Sequence, residues 1–210
     1  MKRNRFLLMT SLMSILCLAS YAQGKPSAPP IVKTTFGVKA GVNLSNIING
    51  QENLDFSPGM KADFHLGVVA NLHFGYRDEG SPVGTGRFGL QPELLYSRQG
   101  FAVDDEAITF DYITLPVMAR LYATKDIYVE AGPYFGYLLQ LSANSTVIEG
   151  AQIDLSSLKG GIDFGAGVGA GYESRLGLIA GIRYQLGLSD MAGNLKWKNN
   201  VVALSLGWLF

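Results

Sequence analysis

From residue 34 to the C-terminus the chain alternates apolar residues with small or polar ones at period two, five to seven apolar positions at a time. Period-two alternation is the mark of a β-strand with two unlike faces. In the first segment Phe36, Val38, Ala40, Val42 and Leu44 face one way, and Gly37, Lys39, Gly41 and Asn43 the other. Phe64 to Tyr76 repeats the pattern against His65, Gly67, Asn71, His73 and Gly75. The sixth segment sets Ile162, Phe164, Ala166, Val168, Ala170 and Tyr172 against Asp163, Gly165, Gly167, Gly169, Gly171 and Glu173. Phe88 to Ser97, Ile113 to Leu121, Ile127 to Tyr137, Leu176 to Leu186 and Val202 to Phe210 complete eight such segments. A face of glycine and charge cannot form the core of a soluble barrel. It fits a wall turned inside out, with apolar residues in lipid and polar residues in a lumen. Strands of this kind need about 9–11 residues to cross a bilayer, and the sheet must close because lipid leaves no partner for an open edge. The pattern predicts an all-β fold, an eight-stranded antiparallel transmembrane up-and-down barrel over residues 34–210.

Composition agrees. Charged residues are 16% and hydrophobic ones 48%, against about 25% charged in ordinary soluble domains. Lys2, Arg3 and Arg5 precede an apolar run from Phe6 to Ala19, and Ser20 and Ala22 suit the small positions before a cleavage site. Residues 1–22 therefore read as a signal peptide cut before Gln23, and 23–33 as a short N-terminal segment. The run is too short for a spanning helix, which needs about 20 residues. The only cysteine, Cys17, falls inside it, so the exported chain is expected to have no disulfide, thiol chemistry or cysteine-bound metal. Removing the three N-terminal cations from 17 leaves 14 basic against 17 acidic residues, a balance that does not point to nucleic acid.

The links between segments fall roughly at 45–58, 77–86, 98–109, 123–126, 142–161, 173–175 and 188–199. Links two, four and six are shorter on average, as periplasmic turns are beside outer loops. Pro92, Pro116 and Pro133 sit inside strands, where each removes a ladder donor, and read as bulges or register breaks. Two aromatic belts follow from the phase: Phe36, Phe74, Tyr76, Phe88, Tyr172 and Trp208 at the periplasmic side, and Phe64, Tyr96, Tyr137 and Tyr184 at the outer side.

Four segments, FGVKAGVNLS (36–45), LQPELLYSRQG (90–100), YITLPVMARLY (112–122) and DFGAGVGAG (163–171), resemble the outer-membrane protein β-barrel family of Bacteroidetes, often labelled porin-family or PorT-like. The resemblance implies a small barrel of the OmpA and OmpX type in the bacterial outer membrane. It also implies a functionally varied family, some relatives of which serve secretion or gliding; from its residues the chain is expected to be non-enzymatic.

Six inward charges are the candidate site: Lys39, Arg120 and Arg183 against Glu93, Glu130 and Asp163. An unpaired charge in a narrow lumen costs several kcal/mol, so these are expected to form one network that plugs the barrel. Arg120, between the strands of Glu93 and Glu130, is the expected hub. The alternatives are a small-solute channel and a lipid-modifying enzyme. His65 and His73 are eight residues apart on one strand, about 26 Å, too far to share a metal. Ser97 and Ser205 face inward, but nothing in the sequence sets either beside a histidine. Gly165 to Gly171 have a strict period of two with no following helix, unlike a dinucleotide loop, and read as space for lumen side chains. No cofactor is expected. Leu204, Leu206, Trp208 and the terminal Phe210 resemble the signal read by the barrel-assembly machinery. Expected partners are that machinery, outer-membrane lipids and a surface partner held by the outer loops, chiefly Ser142 to Gly161.

Overall fold

The computed structural model describes residues 31–49, 59–75, 87–103, 106–143, 161–189 and 197–210. The signal peptide, Tyr76, and most of the link from Ser142 to Gly161 lie outside them. The eight strands are β1 (Ile31–Asn49), β2 (Gly59–Gly75), β3 (Phe88–Val103), β4 (Glu106–Tyr122), β5 (Ile127–Ala143), β6 (Ile162–Glu173), β7 (Leu178–Gly187) and β8 (Trp197–Leu209). Each pairs antiparallel with its sequence neighbour, and β1 pairs with β8 from Gly37↔Leu209 to Asn49↔Trp197, which closes the barrel.

The wall has the polarity that the alternation predicts. Phe36, Val38, Leu66, Val68, Leu115, Val129, Phe135, Ile182 and Leu206 face outward and are exposed, while Lys39, Asn43, Glu93, Arg120, Glu130 and Arg183 are buried inside. This inverts the arrangement of soluble proteins and is what a bilayer solvent demands. Phe36, Phe88, Tyr172 and Trp208 are exposed near the end where β1 begins and β8 finishes. Phe64, Tyr96, Tyr137 and Tyr184 lie toward the opposite end, where Phe135 and Phe164 also pack, with ring centroids 5.8 Å apart.

Three expectations are corrected. The link placed at 98–109 is mostly strand, and only residues 104–105 separate β3 from β4. The strands continue because polarity reverses where the wall leaves the apolar band. Phe101, Ile108, Phe110 and Leu138 turn inward and are buried, with Phe101 and Phe110 stacked at 6.1 Å, while Arg98 points out against Asp111 and over the Phe64 ring. Strands β1 to β5 thus reach 16–19 residues while β6 to β8 have 10–13. The prolines shift no register: Pro92↔Val117, Pro116↔Tyr134 and Pro133↔Ala166 keep the register of their ladders. The shifts lie instead between Met60 and His65 and at Asp111/Tyr112. Strand β7 starts at Leu178, two residues later than expected, because the tight turn 174–177 ends on Gly177, whose φ of 93° suits glycine.

Candidate functional site in the barrel lumen

Five of the six candidate charges meet across the lumen. Glu93 accepts from Lys39 Nζ at 3.1 and 3.3 Å, from both Arg183 terminal nitrogens at 2.7 and 2.8 Å, and from Gln91 Nε2 at 2.6 Å. Arg183 Nε also donates to Glu130 at 2.7 Å. Glu130 in turn accepts from Arg120 Nε at 3.0 Å. The bidentate Arg183–Glu93 contact is the strong geometry for such a pair. Arg183, not Arg120, joins the two halves, because among the described residues it is the one cation in contact with both Glu93 and Glu130.

Arg120 faces the other way. It reaches Glu173 at 3.4 Å and Tyr128 Oη at 2.9 Å, and its guanidinium lies 3.9 Å above the Tyr128 ring. Glu173 also accepts from Tyr122 Oη at 2.7 Å and Asn71 Nδ2 at 2.9 Å. The network is therefore a chain of alternating sign: Lys39, Glu93, Arg183, Glu130, Arg120, Glu173. Its six charges cancel, which is how a low-dielectric interior can hold them. Glu173 was visible in the sequence as an inward residue, but its place at a strand end hid the role.

Asp163 stands apart. Its carboxylate accepts from Tyr134 Oη at 3.1 Å, Asn199 Nδ2 at 2.8 Å and Ser189 Oγ at 2.8 Å. These are neutral donors, so it needs no cation from the chain above. Two of the four glycines in the β6 row, Gly165 and Gly171, are explained by the tyrosines beside them. A Cβ on Gly165 would come within 2.5 Å of the Tyr134 ring, and one on Gly171 within 2.4 Å of Tyr128 Oη. Tyr128 and Tyr134, on β5, lie over the bare backbone of β6 and carry their hydroxyls to Arg120 and Asp163.

One arrangement was not expected. Ser205 Oγ lies 3.0 Å from His65 Nε2, and His65 Nδ1 lies 2.8 Å from Asn43 Oδ1. Asn43 Nδ2 donates to the Arg98 carbonyl at 2.8 Å and to Ser97 Oγ at 3.0 Å. That fixes the amide, so His65 donates from Nδ1 and accepts at Nε2. Strand pairing brings this about: Gly41 is opposite both His65 and Ser205, and its lack of a side chain lets the ring cross over it. Ser205 borders a cavity of about 10 Å³ with Lys39, Tyr128, Glu130, Gly181 and Arg183, about the room for one water. His73 is elsewhere, stacked on Tyr122 at 4.6 Å. Among the described residues no three His, Cys, Asp or Glu side chains could hold a metal.

A model of the outer membrane protein β-barrel domain matches residues 21–193. The chain belongs to that family. As a member of the outer membrane protein β-barrel family it resides in the bacterial outer membrane, with its apolar band in contact with lipid. The barrel is similar to the attachment invasion locus protein Ail of Yersinia pestis, at 13% identity and a TM-score of 0.47, over 85% of this chain and 99% of that one. It is similar to Neisserial surface protein A at 12% identity and a TM-score of 0.47, again over 85% and 99%. It is also similar to a de novo designed transmembrane β-barrel, at 12% identity and a TM-score of 0.33, over 89% and 98%. A comparison with curated proteins finds no match.

Proposed function

We propose that the protein is a closed surface barrel, non-enzymatic, whose lumen is plugged by its own side chains and whose task is carried by the end that projects from the membrane. The carrying observation is the six-residue chain of alternating charge across the lumen. A solute path needs a continuous opening, and an eight-stranded barrel has room only for its side chains or one small ligand. Here that room is taken by Arg183, Arg120 and their carboxylates, and then by Phe101 and Phe110 beyond them. The Ser205–His65–Asn43 set is read as structural, since the cavity beside Ser205 is too small for an ester substrate.

The end carrying Phe210 is assigned to the periplasm. Two of its three connections, 123–126 and 174–177, have four residues, as periplasmic turns do. The opposite end, with the long strands β1 to β5, then faces outward and presents the link from Ser142 to Gly161 to partners. The four quoted segments support a place among the Bacteroidetes, PorT-like barrels. Single-channel recording in planar bilayers tests the closed lumen: no steady conductance is expected, and a large stable one would replace this reading with a solute channel. Protease added to intact cells tests the orientation: cleavage is expected within 144–160, and cleavage within 174–177 instead would reverse it.

A further inference from the structure

We infer that the cavity beside Ser205 is the site of one resident water molecule, and that this water joins the Ser205–His65–Asn43 set to the charge chain. The inference rests on the closed-lumen reading and names what the remaining space holds. The cavity measures about 10 Å³ and is bordered by Lys39, Tyr128, Glu130, Gly181, Arg183 and Ser205. That volume is about the least that admits a water, and a buried water needs about two to four polar partners. The directions of the hydrogen bonds show that the border supplies them. His65 donates from Nδ1 to Asn43, so its Nε2 accepts from the Ser205 hydroxyl at 3.0 Å. The lone pairs of Ser205 Oγ then call for another donor. Lys39 Nζ carries more N–H groups than its contacts at 3.1 and 3.3 Å use, both of which go to Glu93. Tyr128 Oη accepts from Arg120 at 2.9 Å, which leaves its own O–H to donate.

Glu130 accepts Arg183 on Oε1 and Arg120 on Oε2, and each carboxylate oxygen has a second lone pair to offer. The border therefore presents donors on Lys39 and Tyr128 and acceptors on Ser205 and Glu130. A water molecule, which both gives and takes hydrogen bonds, matches that mixture. An anion would face Glu130, and a cation would face Lys39 and Arg183. Among the described residues, direct contacts leave the serine set and the charge chain as separate groups. With the water between them, hydrogen bonds run from Glu173 through Arg120 and Glu130 to Ser205, His65, Asn43 and the Arg98 carbonyl. Arg120 keeps its charge at all times, so the path does not relay protons. Its effect is to tie β1, β5 and β8 together across the lumen.

A high-resolution crystal structure of the barrel provides the test. One isolated density peak is expected in the cavity, about 2.5–3.2 Å from Ser205 Oγ and from two or more of Lys39 Nζ, Tyr128 Oη and the Glu130 carboxylate. An empty cavity would overturn the proposal. The variant Gly181→Ala adds a second arm. A Cβ at Gly181 comes within 3.3 Å of the Ala170 carbonyl and 3.4 Å of Tyr128 Oη, contacts that a small shift relieves, and it takes the space of the water. The peak is expected to vanish in this variant. Its unfolding equilibrium constant, from urea titration in lipid vesicles, is expected to rise about tenfold, because buried polar groups lose a partner. Stability that stays the same or rises, as it does when a dry void is filled, would overturn the proposal. If the variant does not fold, the density of the parent decides alone. A continuous file of waters along the lumen would refute the closed-lumen reading itself, and the proposal with it.

Discussion

Arg183→Met removes the one residue that bridges the two halves of the lumen network. The aliphatic stem is largely kept, so the perturbation is the loss of a guanidinium. Two contacts to Glu93 and one to Glu130, at 2.7–2.8 Å, disappear. The six charges then no longer cancel. Glu93 keeps Lys39 and Gln91, and Glu130 keeps Arg120, but three carboxylates face two cations in the barrel interior. Breaking a buried pair by removing one partner costs about 3–5 kcal/mol, mostly from the charge left behind. The upper part of that range is expected, because Arg183 serves two carboxylates that are themselves buried. Adding Glu93→Gln to Arg183→Met removes the surplus charge, and about half of the loss is expected to return. Reversible urea unfolding in lipid vesicles, followed by tryptophan fluorescence and by gel mobility without heating, measures all four corners of the cycle. A cost below about 1 kcal/mol for Arg183→Met, with no coupling to Glu93→Gln, would refute the claim that the charge chain holds the barrel.

Arg120→Ala is expected to cost less than Arg183→Met in the same unfolding assay, since it meets one carboxylate at 3.0 Å and the other only at 3.4 Å; the reverse order would restore Arg120 as the hub. Gly165→Ala meets the Tyr134 ring at 2.5 Å and the Leu186 carbonyl at 2.2 Å, whereas Gly167→Ala meets nothing closer than 3.4 Å. The first is therefore expected to lower stability by about 1–3 kcal/mol and the second by no more than about 0.5 kcal/mol, read from paired melting curves. Phe210 is 75% exposed, and only its backbone N–H is held, by the Phe36 carbonyl at 2.8 Å. Phe210→Ser is thus expected to leave the folded barrel's stability nearly unchanged while reducing its level in outer-membrane fractions, and normal levels would remove Phe210 from the assembly signal.

Much of the wall could be read from the chain because a bilayer enforces period two on every strand that crosses it. Val38, Leu66, Val129 and Ile182 can only face lipid if Lys39, Gly67, Glu130 and Arg183 face the lumen. What could not be read is whatever depends on register between distant strands. Arg183 meets Glu93 across 90 residues, and nothing in either segment shows that their depths agree. The same applies to Ser205 and His65, which are 140 residues apart. The hairpin of β3 and β4 escaped for another reason. Beyond the bilayer the solvent is water on the outside, so inward Phe101 and Phe110 replace inward glycine and charge. The period is unbroken there, but its sense is reversed, and a reading that expects one polarity takes the reversal for a loop. The prolines misled because Pro92 and Pro116 cost a local ladder contact without displacing the strand.

The order of the charge chain also bears on how the barrel can be put together. Lys39, Glu93, Arg120 and Glu130 all arrive with β1 to β5, whereas Arg183 comes on β7 and Glu173 closes β6. A partly built sheet of five strands holds two carboxylates whose strongest partner has not yet joined. Those groups must keep their hydration until β7 docks, so the interior cannot dry while the first strands curl. Expulsion of lumen water and closure of the β1–β8 seam are then bound to the same late event. In a barrel wired in this way the lumen charges all find their partners only in the closed sheet, once β7 stands between β6 and β8.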